Sequence, residues 1–376
     1  MICGVAERPN GKSGNEIDGM DLFNNFFKGK KVLITGDTGF KGSWLCIWLN
    51  ELGADVYGYA LPPKTSNDNF SKTNLGKMIQ HQDGDVRDID SLKKFFNLVK
   101  PEITFHLAAQ ALVLPSYSDP VETFQTNVLG TVNFFEAVRH TKSVRIAINV
   151  TSDKCYQNNE WVWGYRENDP MGGNDPYSAS KGCSELVTSS YMKSFFNSGD
   201  CLVASARAGN VIGGGDWADH RIIPDVFRAY FSKQDLVIRN PMATRPWQFV
   251  LEPIFGYLKL AQTLYEKGAA FSGGWNFGPV AGKDYSVSDV IGHLLKAIPD
   301  LKYKKDENAV KPHEAKLLKL DISKAMTQLD WRPLLNFDET IRFTTEGYLS
   351  EQDNVDLYHT RASQIKNYSD KFQVKR

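Results

Sequence analysis

Hydrophobic residues first gather at Lys31-Val-Leu-Ile-Thr35, a short run that ends at Gly36. An apolar run closed by glycine predicts a buried strand. From Trp44 the period changes: Trp44, Leu45, Ile47, Trp48, Leu49 and Leu52 recur at helical spacing up to Gly53, a natural C-terminal stop. The alternation then repeats. Strands are predicted at Asp55–Ala60, Met78–Gln82, Ile103–Ala108, Val144–Val150 and Leu202–Ala206, with helices at Ile89–Val99, Val121–His140 and Pro176–Phe196. Such alternation predicts an α/β fold: a doubly wound parallel sheet of the Rossmann type, whose right-handed crossovers place the post-strand loops along one edge. After Gly209 the rhythm breaks into glycine, proline and short strands. This predicts a smaller, discontinuous C-terminal domain, with a cleft between the two.

The length of 376 residues fits two domains, and 41% hydrophobic with 23% charged residues is ordinary globular usage. Lys and Arg total 44 and Asp and Glu total 44, so the net charge is zero. A balanced chain removes the broad electrostatic reason to expect nucleic acid or a membrane surface as main partner, and leaves room for a local anion site. Five cysteines, scattered from Cys3 to Cys201, form no disulfide framework and point to a reducing cytoplasm. No apolar run approaches the roughly 18–20 residues needed to span a bilayer. Residues 1–28 are expected to be a flexible extension without a signal-peptide core, the segment from Met20 resembling a natural start. The seven histidines show no ligand spacing, so no metal is expected.

The turn after the first strand reads Gly36-Asp-Thr-Gly39-Phe-Lys-Gly42 and leads into a helix. Glycines let a backbone approach a pyrophosphate, and a helix N-terminus offers free N–H groups and a positive dipole. A bare glycine pattern is weak; its place between the first strand and helix of an alternating chain points to dinucleotide binding. The acid usual at the end of the second strand is missing from Val56-Tyr-Gly-Tyr-Ala-Leu61, so this position does not choose between NAD and NADP. Asp85-Val86, after the third strand, are placed to hold an adenine amino group or to be a solvated turn. The expected boundaries are residues 29–206 plus about 250–278 for the nucleotide-binding domain, 207–249 and 279–350 for the substrate domain, and a tail over 351–376.

Of fifteen tyrosines, only Tyr177 is followed four residues later by lysine, Lys181. On a helix the two share a face. The preceding strand ends in Thr151-Ser152. A tyrosine of pKa near 10 working near neutrality must shift by about three units, roughly 4 kcal/mol. One positive charge about 4 Å away at an effective dielectric of about 20 supplies that much. Tyr177, aided by Lys181 and an oxidised nicotinamide, is therefore a candidate base toward a substrate hydroxyl. Asp153 and Lys154 follow Ser152 directly. An added acid and amine beside a redox site suit elimination of water next to a new ketone, while the plainer reading is a surface pair capping a turn.

These residues, with His106-Leu-Ala-Ala-Gln110, the Trp161–Gly173 segment, Asp175-Pro-Tyr-Ser-Ala-Ser-Lys181, Gly213-Gly-Gly-Asp-Trp217, Ala243-Thr-Arg-Pro-Trp-Gln248 and Trp275-Asn-Phe-Gly-Pro279, resemble the extended short-chain dehydrogenase/reductases. Within them the chain is similar to the nucleotide-sugar 4,6-dehydratases over about residues 20–350. Relatives carry Thr-Asp-Glu at the strand end; Ser152-Asp153-Lys154 is similar to the branch that acts on CDP-glucose. The resemblance implies NAD as cofactor, held at Gly36, Thr38, Gly39, Phe40, Gly42, Asp85, Val86, Ala108, Ala109, Tyr177 and Lys181. It implies substrate contacts at Gln110, Asn210, Arg221, Arg239 and Arg245, and catalysis by Ser152, Asp153, Lys154, Tyr177 and Lys181. The implied cycle oxidises C4, eliminates water across C5 and C6 with Lys154 as base and Asp153 as acid, and returns the hydride to C6. Such a product leads toward deoxy and dideoxy sugars of surface polysaccharide, and the family commonly forms homodimers or homotetramers through paired helices. Phe249, where that branch would carry histidine, is expected to alter substrate-side detail; Cys155 and Cys183 are expected to be small buried fillers. A nucleotide-sugar 4-epimerase would share the fold, cofactor, Tyr177 and Lys181, but Asp153-Lys154 argue against it. A nucleotide-binding module with a decayed site would lack a catalytic group, and none is missing.

Overall fold

Val32, Leu33 and Ile34 are fully buried, as a strand covered on both faces must be, and they lie in the interior of a seven-stranded parallel sheet. In the computed structural model, which describes residues 22–196, 199–238, 240–280, 282, 284–305, 317–353 and 355–374, its strands are β1 (Lys31–Thr35), β2 (Asp55–Ala60), β3 (Gln80–Asp83), β4 (Ile103–His106), β5 (Ile146–Val150), β6 (Leu202–Ala208) and β7 (Gly273–Phe277). Their order across the sheet is β7-β6-β5-β4-β1-β2-β3. Thr35, the last residue of β1, pairs with His106, the last of β4. The chain runs outward from β1 to β3, then crosses back to β4, so a crevice opens between the ends of β1 and β4.

The helix after β1, Phe40–Glu51, is apolar on every side because it is covered on every side: Trp44 through Leu49 are all fully buried. It stops where Gly53 takes φ +75°. Strand β3 starts two residues later than its apolar lead-in predicts, and reads Gln-His-Gln-Asp because it is an edge. The helix expected over 121–140 is three pieces: an α-helical Pro120–Phe124, a π-turn over Gln125–Leu129, and an α-helical Gly130–Arg139. Periodicity cannot show a single inserted residue.

One expectation about the ends needs correction. The extension does not reach residue 28: Phe23 and Phe27 are buried, edge to face with each other at 5.3 Å, and Phe23 packs on Trp48 and Phe255. Residues 1–21 lie outside the described residues. The tail expected over 351–376 carries a packed helix in its described residues. Leu357–Val374 is a helix that buries Arg361, Ile365 and Tyr368 completely, and the Tyr368 hydroxyl donates to the buried Glu252 carboxylate at 2.6 Å.

A separate apolar cluster joins Ile212, Val226, Phe227, Ile238, Trp247, Val290, Ile291, Leu294 and Tyr348. It draws on chain segments either side of the helix Leu251–Lys267, which packs on the sheet. The large cleft lies between this cluster and the carboxyl ends of the strands.

Candidate active site

The turn after β1 is built on close backbone contact. Gly36 has φ +81°, and a Cβ there would sit 2.6 Å from the Ala108 amide nitrogen, in the segment leaving β4. A Cβ on Gly42 would collide with the Gly36 carbonyl oxygen. Gly36 and Gly42 thus press strand, helix and neighbouring loop together. Gly39 stands at the start of the helix Phe40–Glu51, which no side chain caps, and its first-turn residues border the cleft. A dinucleotide pyrophosphate fits this end by the donors it offers.

One cleft of about 1480 Å³ collects nearly every expected site residue. Gly36, Thr38, Gly39, Phe40, Gly42, Asp85, Val86, Ala108 and Ala109 line one end. Ser152, Asp153, Lys154, Tyr177 and Lys181 line its middle, and Gln110, Asn210, Arg221 and Arg245 complete it. Arg239 lies outside the described residues. Several side chains are already engaged. The Thr38 hydroxyl donates to the Leu61 carbonyl (2.8 Å), tying the turn to the end of β2. The Asp85 carboxylate is held by Arg87 at 2.6 Å; burial opposes ionisation, but the Arg87 hydrogen bonds prevail and keep the carboxyl below its usual range. Gln110 folds onto its own loop, accepting from the Leu112 amide (2.7 Å) and donating to Thr123 (3.0 Å), so its amide does not reach out freely toward a substrate.

At the centre, β5 delivers Ser152 and then a 3₁₀ turn, Asp153–Cys155. The Ser152 hydroxyl donates to Asp153 at 2.9 Å and accepts from the Lys154 amide. Tyr177 and Lys181 come from the helix Pro176–Phe195, capped by Asp175, whose carboxylate accepts from the Ser178 amide at 2.9 Å. Tyr177, Lys181 and Asp153 are all buried. Burial pushes the Tyr177 phenol up to about 12, although a hydrogen bond with Ser152 works the other way. Burial lowers the Lys181 ammonium to about 8. Burial also raises the Asp153 carboxyl, against the pull of Lys154, Ser152 and Arg245. A raised carboxyl holds its proton to higher pH, the property of a proton donor.

Beneath these groups runs a buried network that the sequence reading missed. Glu185, on the same helix as Tyr177, pairs with Arg207 of β6 at 2.7 Å and also accepts from Thr151 and Ser205. Arg207 donates in turn to the Tyr156 hydroxyl (2.6 Å), which donates to Asn276 of β7 (2.7 Å). Thr151 and Tyr156 bracket the Ser152–Lys154 segment, so both of its ends are tied down. Asn127 is the second omission. From the π-turn it donates to the Gln110 carbonyl (3.0 Å) and the Ser180 hydroxyl (2.8 Å) and accepts from the Gln110 amide (2.8 Å). The extra residue in that helix aims Asn127 at the loop after β4.

The third omission is Lys41, inside the glycine turn. Its ammonium reaches the Tyr257 hydroxyl (3.3 Å) and lines the cleft with Asp153, Lys181 and Arg221. Burial first, then repulsion by Lys181 and Arg221, lowers its pKa to about 7, while Asp153 opposes. Phe249 proves to be core: it is fully buried, edge to face with Trp44 and Phe343, and not part of the cleft wall, so the expected effect on substrate-side detail does not hold. Cys155 is buried and Cys183 half-buried, and both are free thiols. Among the described residues no group of His, Cys, Asp and Glu is set to hold a metal, and no helix is long and apolar enough to cross a membrane.

Residues 33–344 match the model of the GDP-mannose 4,6-dehydratase family. The chain belongs to that family. Among its relatives, the CDP-glucose 4,6-dehydratase of Salmonella typhimurium is 50% identical over 322 residues, 84% of this chain and 90% of that one. GDP-mannose 4,6 dehydratase 1 of Arabidopsis thaliana is 25% identical over 354 residues, 84% of this chain and 89% of that one. Among solved structures, the UDP-glucose 4-epimerase of Thermus thermophilus in complex with NAD superposes with a TM-score of 0.74 at 23% identity, over 86% of this chain and all of the other. That likeness concerns the fold, which the family's dehydratases share with epimerases.

Because Lys41 is buried, and shares its surroundings with two other cations, its amine should titrate near pH 7 rather than near 10.5, being neutral above that point. A lysine-selective NMR titration of the protein, assigned with Lys41→Met, checks this; a midpoint near the free-lysine value would contradict it.

Proposed function

We propose that this chain is an NAD-dependent hydro-lyase that converts CDP-glucose to CDP-4-dehydro-6-deoxyglucose and water. The observation that carries the reading is the placement of Asp153 and Lys154 in one cleft with Tyr177 and Lys181. An epimerase needs only the tyrosine–lysine pair and a hydride acceptor; elimination needs an acid and a base besides. The half identity to the Salmonella enzyme, over nearly its whole length, favours CDP-glucose over other nucleotide sugars.

Bound NAD would supply reversible hydride storage, taking hydride from C4 of the glucose and giving it back at C6. Residues of the Gly36–Gly42 turn would hold its pyrophosphate, and Lys181 would lie by its nicotinamide ribose. Tyr177 removes the proton of the C4 hydroxyl; with a phenol at about 12 in the free protein, it depends on positive charge from Lys181 and the oxidised cofactor. Lys154 takes the C5 proton, acidified by the C4 ketone, and returns it after elimination. Asp153, its carboxyl raised by burial, protonates the departing C6 hydroxyl as water. Arg221 and Arg245 meet the diphosphate, for which a guanidinium fork is suited. Arg221 is steadied by Asp216 at 2.9 Å.

The helical segments 120–139 and 176–195 lie side by side, linked by Thr131–Ser184 (2.9 Å) and Tyr191–Glu136 (2.9 Å), and they expose Val121, Phe124, Leu129 and Leu186. An apolar face of this kind on two neighbouring helices supports a homodimer through helix pairing. The four described cysteines, all free thiols, accord with a reducing cytoplasm.

Incubation with CDP-glucose should yield a 4-keto-sugar, read by its alkali-induced absorbance, and Tyr177→Phe should lower kcat roughly 10³-fold. Turnover of another nucleotide sugar in place of CDP-glucose would displace the substrate choice. Lys154→Ala should stop wash-in of solvent deuterium at C5; exchange at the normal rate would remove Lys154 as the base. Sedimentation should show a dimer or larger that Val121→Glu with Leu186→Glu reduces to a monomer, and a wild-type monomer would remove the helix-paired assembly.

A further inference from the structure

The segment Gly213-Gly-Gly-Asp-Trp217 stands out in the sequence, yet the proposed chemistry uses none of its side chains directly. Its front, at Gly215, Asp216 and Trp217, lines the cleft. Its back rests on Arg361, a fully buried guanidinium from the C-terminal helix. Arg361 Nε donates to Asn69 Oδ1 (3.0 Å), Nη1 to the Gly347 carbonyl (2.8 Å) and Nη2 to Glu351 Oε1 (2.5 Å). The other Glu351 oxygen accepts from the Trp217 indole at 2.8 Å, and the Gly215 amide also donates to Glu351. There is no slack in this contact: a Cβ on Gly214 would lie 2.6 Å from Arg361 Nη1, and one on Gly215 would lie 2.5 Å from Asn69.

The same guanidinium reaches the cofactor side of the cleft. Asn69 donates to the Ser43 hydroxyl (2.9 Å), and Trp44, whose ring lies 5.3 Å beneath Arg361, donates its indole N–H to the Gly214 carbonyl (3.0 Å). Ser43 and Trp44 belong to the helix that follows the glycine turn. On the substrate side, the Tyr348 hydroxyl donates to the Asp216 carbonyl, and the Asp216 carboxylate holds Arg221. A buried ion pair contributes little net stability over apolar side chains of similar volume, and its attested use is to select one geometry.

We propose that Arg361 is a positioning residue of the active site, which holds the Gly213–Trp217 loop from behind and, through Asp216, sets Arg221 at the place where it meets the substrate diphosphate. This rests on the reading of Arg221 as a diphosphate contact. Lysine in place of Arg361 keeps the charge but loses the planar fork, so Glu351, Asn69 and Gly347 cannot all be met at once and the loop loses its fixed seat.

Steady-state kinetics with CDP-glucose on Arg361→Lys, Arg221→Gln and the two combined test the route. Arg361→Lys should raise KM about tenfold with kcat within about threefold, the size of one charge-assisted hydrogen bond. In the Arg221→Gln background the same change should add less than about twofold, because both act on one contact. A lower melting temperature with unchanged KM in Arg361→Lys would overturn the positioning role, as would effects that multiply in full. An unchanged KM in Arg221→Gln alone would remove the diphosphate reading and this route with it; a raised KM there with none in Arg361→Lys removes the positioning role only. If Arg361→Lys does not fold, Arg361→Gln with Glu351→Gln replaces the ion pair by amides, and the same KM comparison applies.

Discussion

The pairing of Glu185 with Arg207 is the contact on which the active site stands. It joins the helix that carries Tyr177 and Lys181 to β6, and through Thr151 and Tyr156 it holds both ends of the segment that carries Ser152, Asp153 and Lys154. Burial alone would raise the Glu185 carboxyl; Arg207, with Ser205 and Thr151, more than reverses this, so the carboxyl stays below its usual range. Removal of one partner from such a pair leaves a bare buried charge, at a cost of about 3–5 kcal/mol. The proposed catalytic groups are therefore not mounted on a flexible loop. They sit on the roof of a polar network enclosed by the sheet and one long helix, which is the rigid support that proton transfer over hydrogen-bond distances demands.

Burial acts on the groups above that network in opposite directions according to their charge. It raises Tyr177 and Asp153, which become less willing to ionise, and lowers Lys181 and Lys41, which become less willing to be charged. All four drift toward neutrality in the same buried site. In the proposed cycle an arriving positive charge would then favour the phenolate of Tyr177. The cleft thus has a bias that a surface arrangement of the same residues would not have, since in water each group would keep close to its ordinary value.

Much of this was legible in the sequence, and the parts that were share a property: they are local. The strands β1 and β2 and the helix Ile89–Val99 have the bounds their periodicity predicts, because each is long enough and apolar enough to declare itself. Tyr177 with Lys181, and Ser152 through Lys154, were visible as short patterns next to predicted elements. What escaped was relational. Glu185 and Arg207 are 22 residues apart and look like any charged pair until the sheet brings them together. Asn127 reads as an ordinary helical residue, and the π-turn that aims it has no periodic trace. Lys41 was in view, within the glycine motif, but the motif drew attention to its backbone. Phe249 misled in the other direction: its position beside Trp247 and Gln248 implied the substrate side, whereas its ring turns inward to Trp44.

Strand β3 ends one side of the sheet with Gln80, His81, Gln82 and Asp83, three of them exposed. An incoming strand could satisfy the open backbone groups there only by stripping water from this polar row, and Asp83 already holds the imidazole of His81 at 3.0 Å. The edge is thereby closed to self-templating without a covering helix. A nascent chain can expose this margin during synthesis, before its final helix has docked, with little danger of joining a neighbour sheet to sheet.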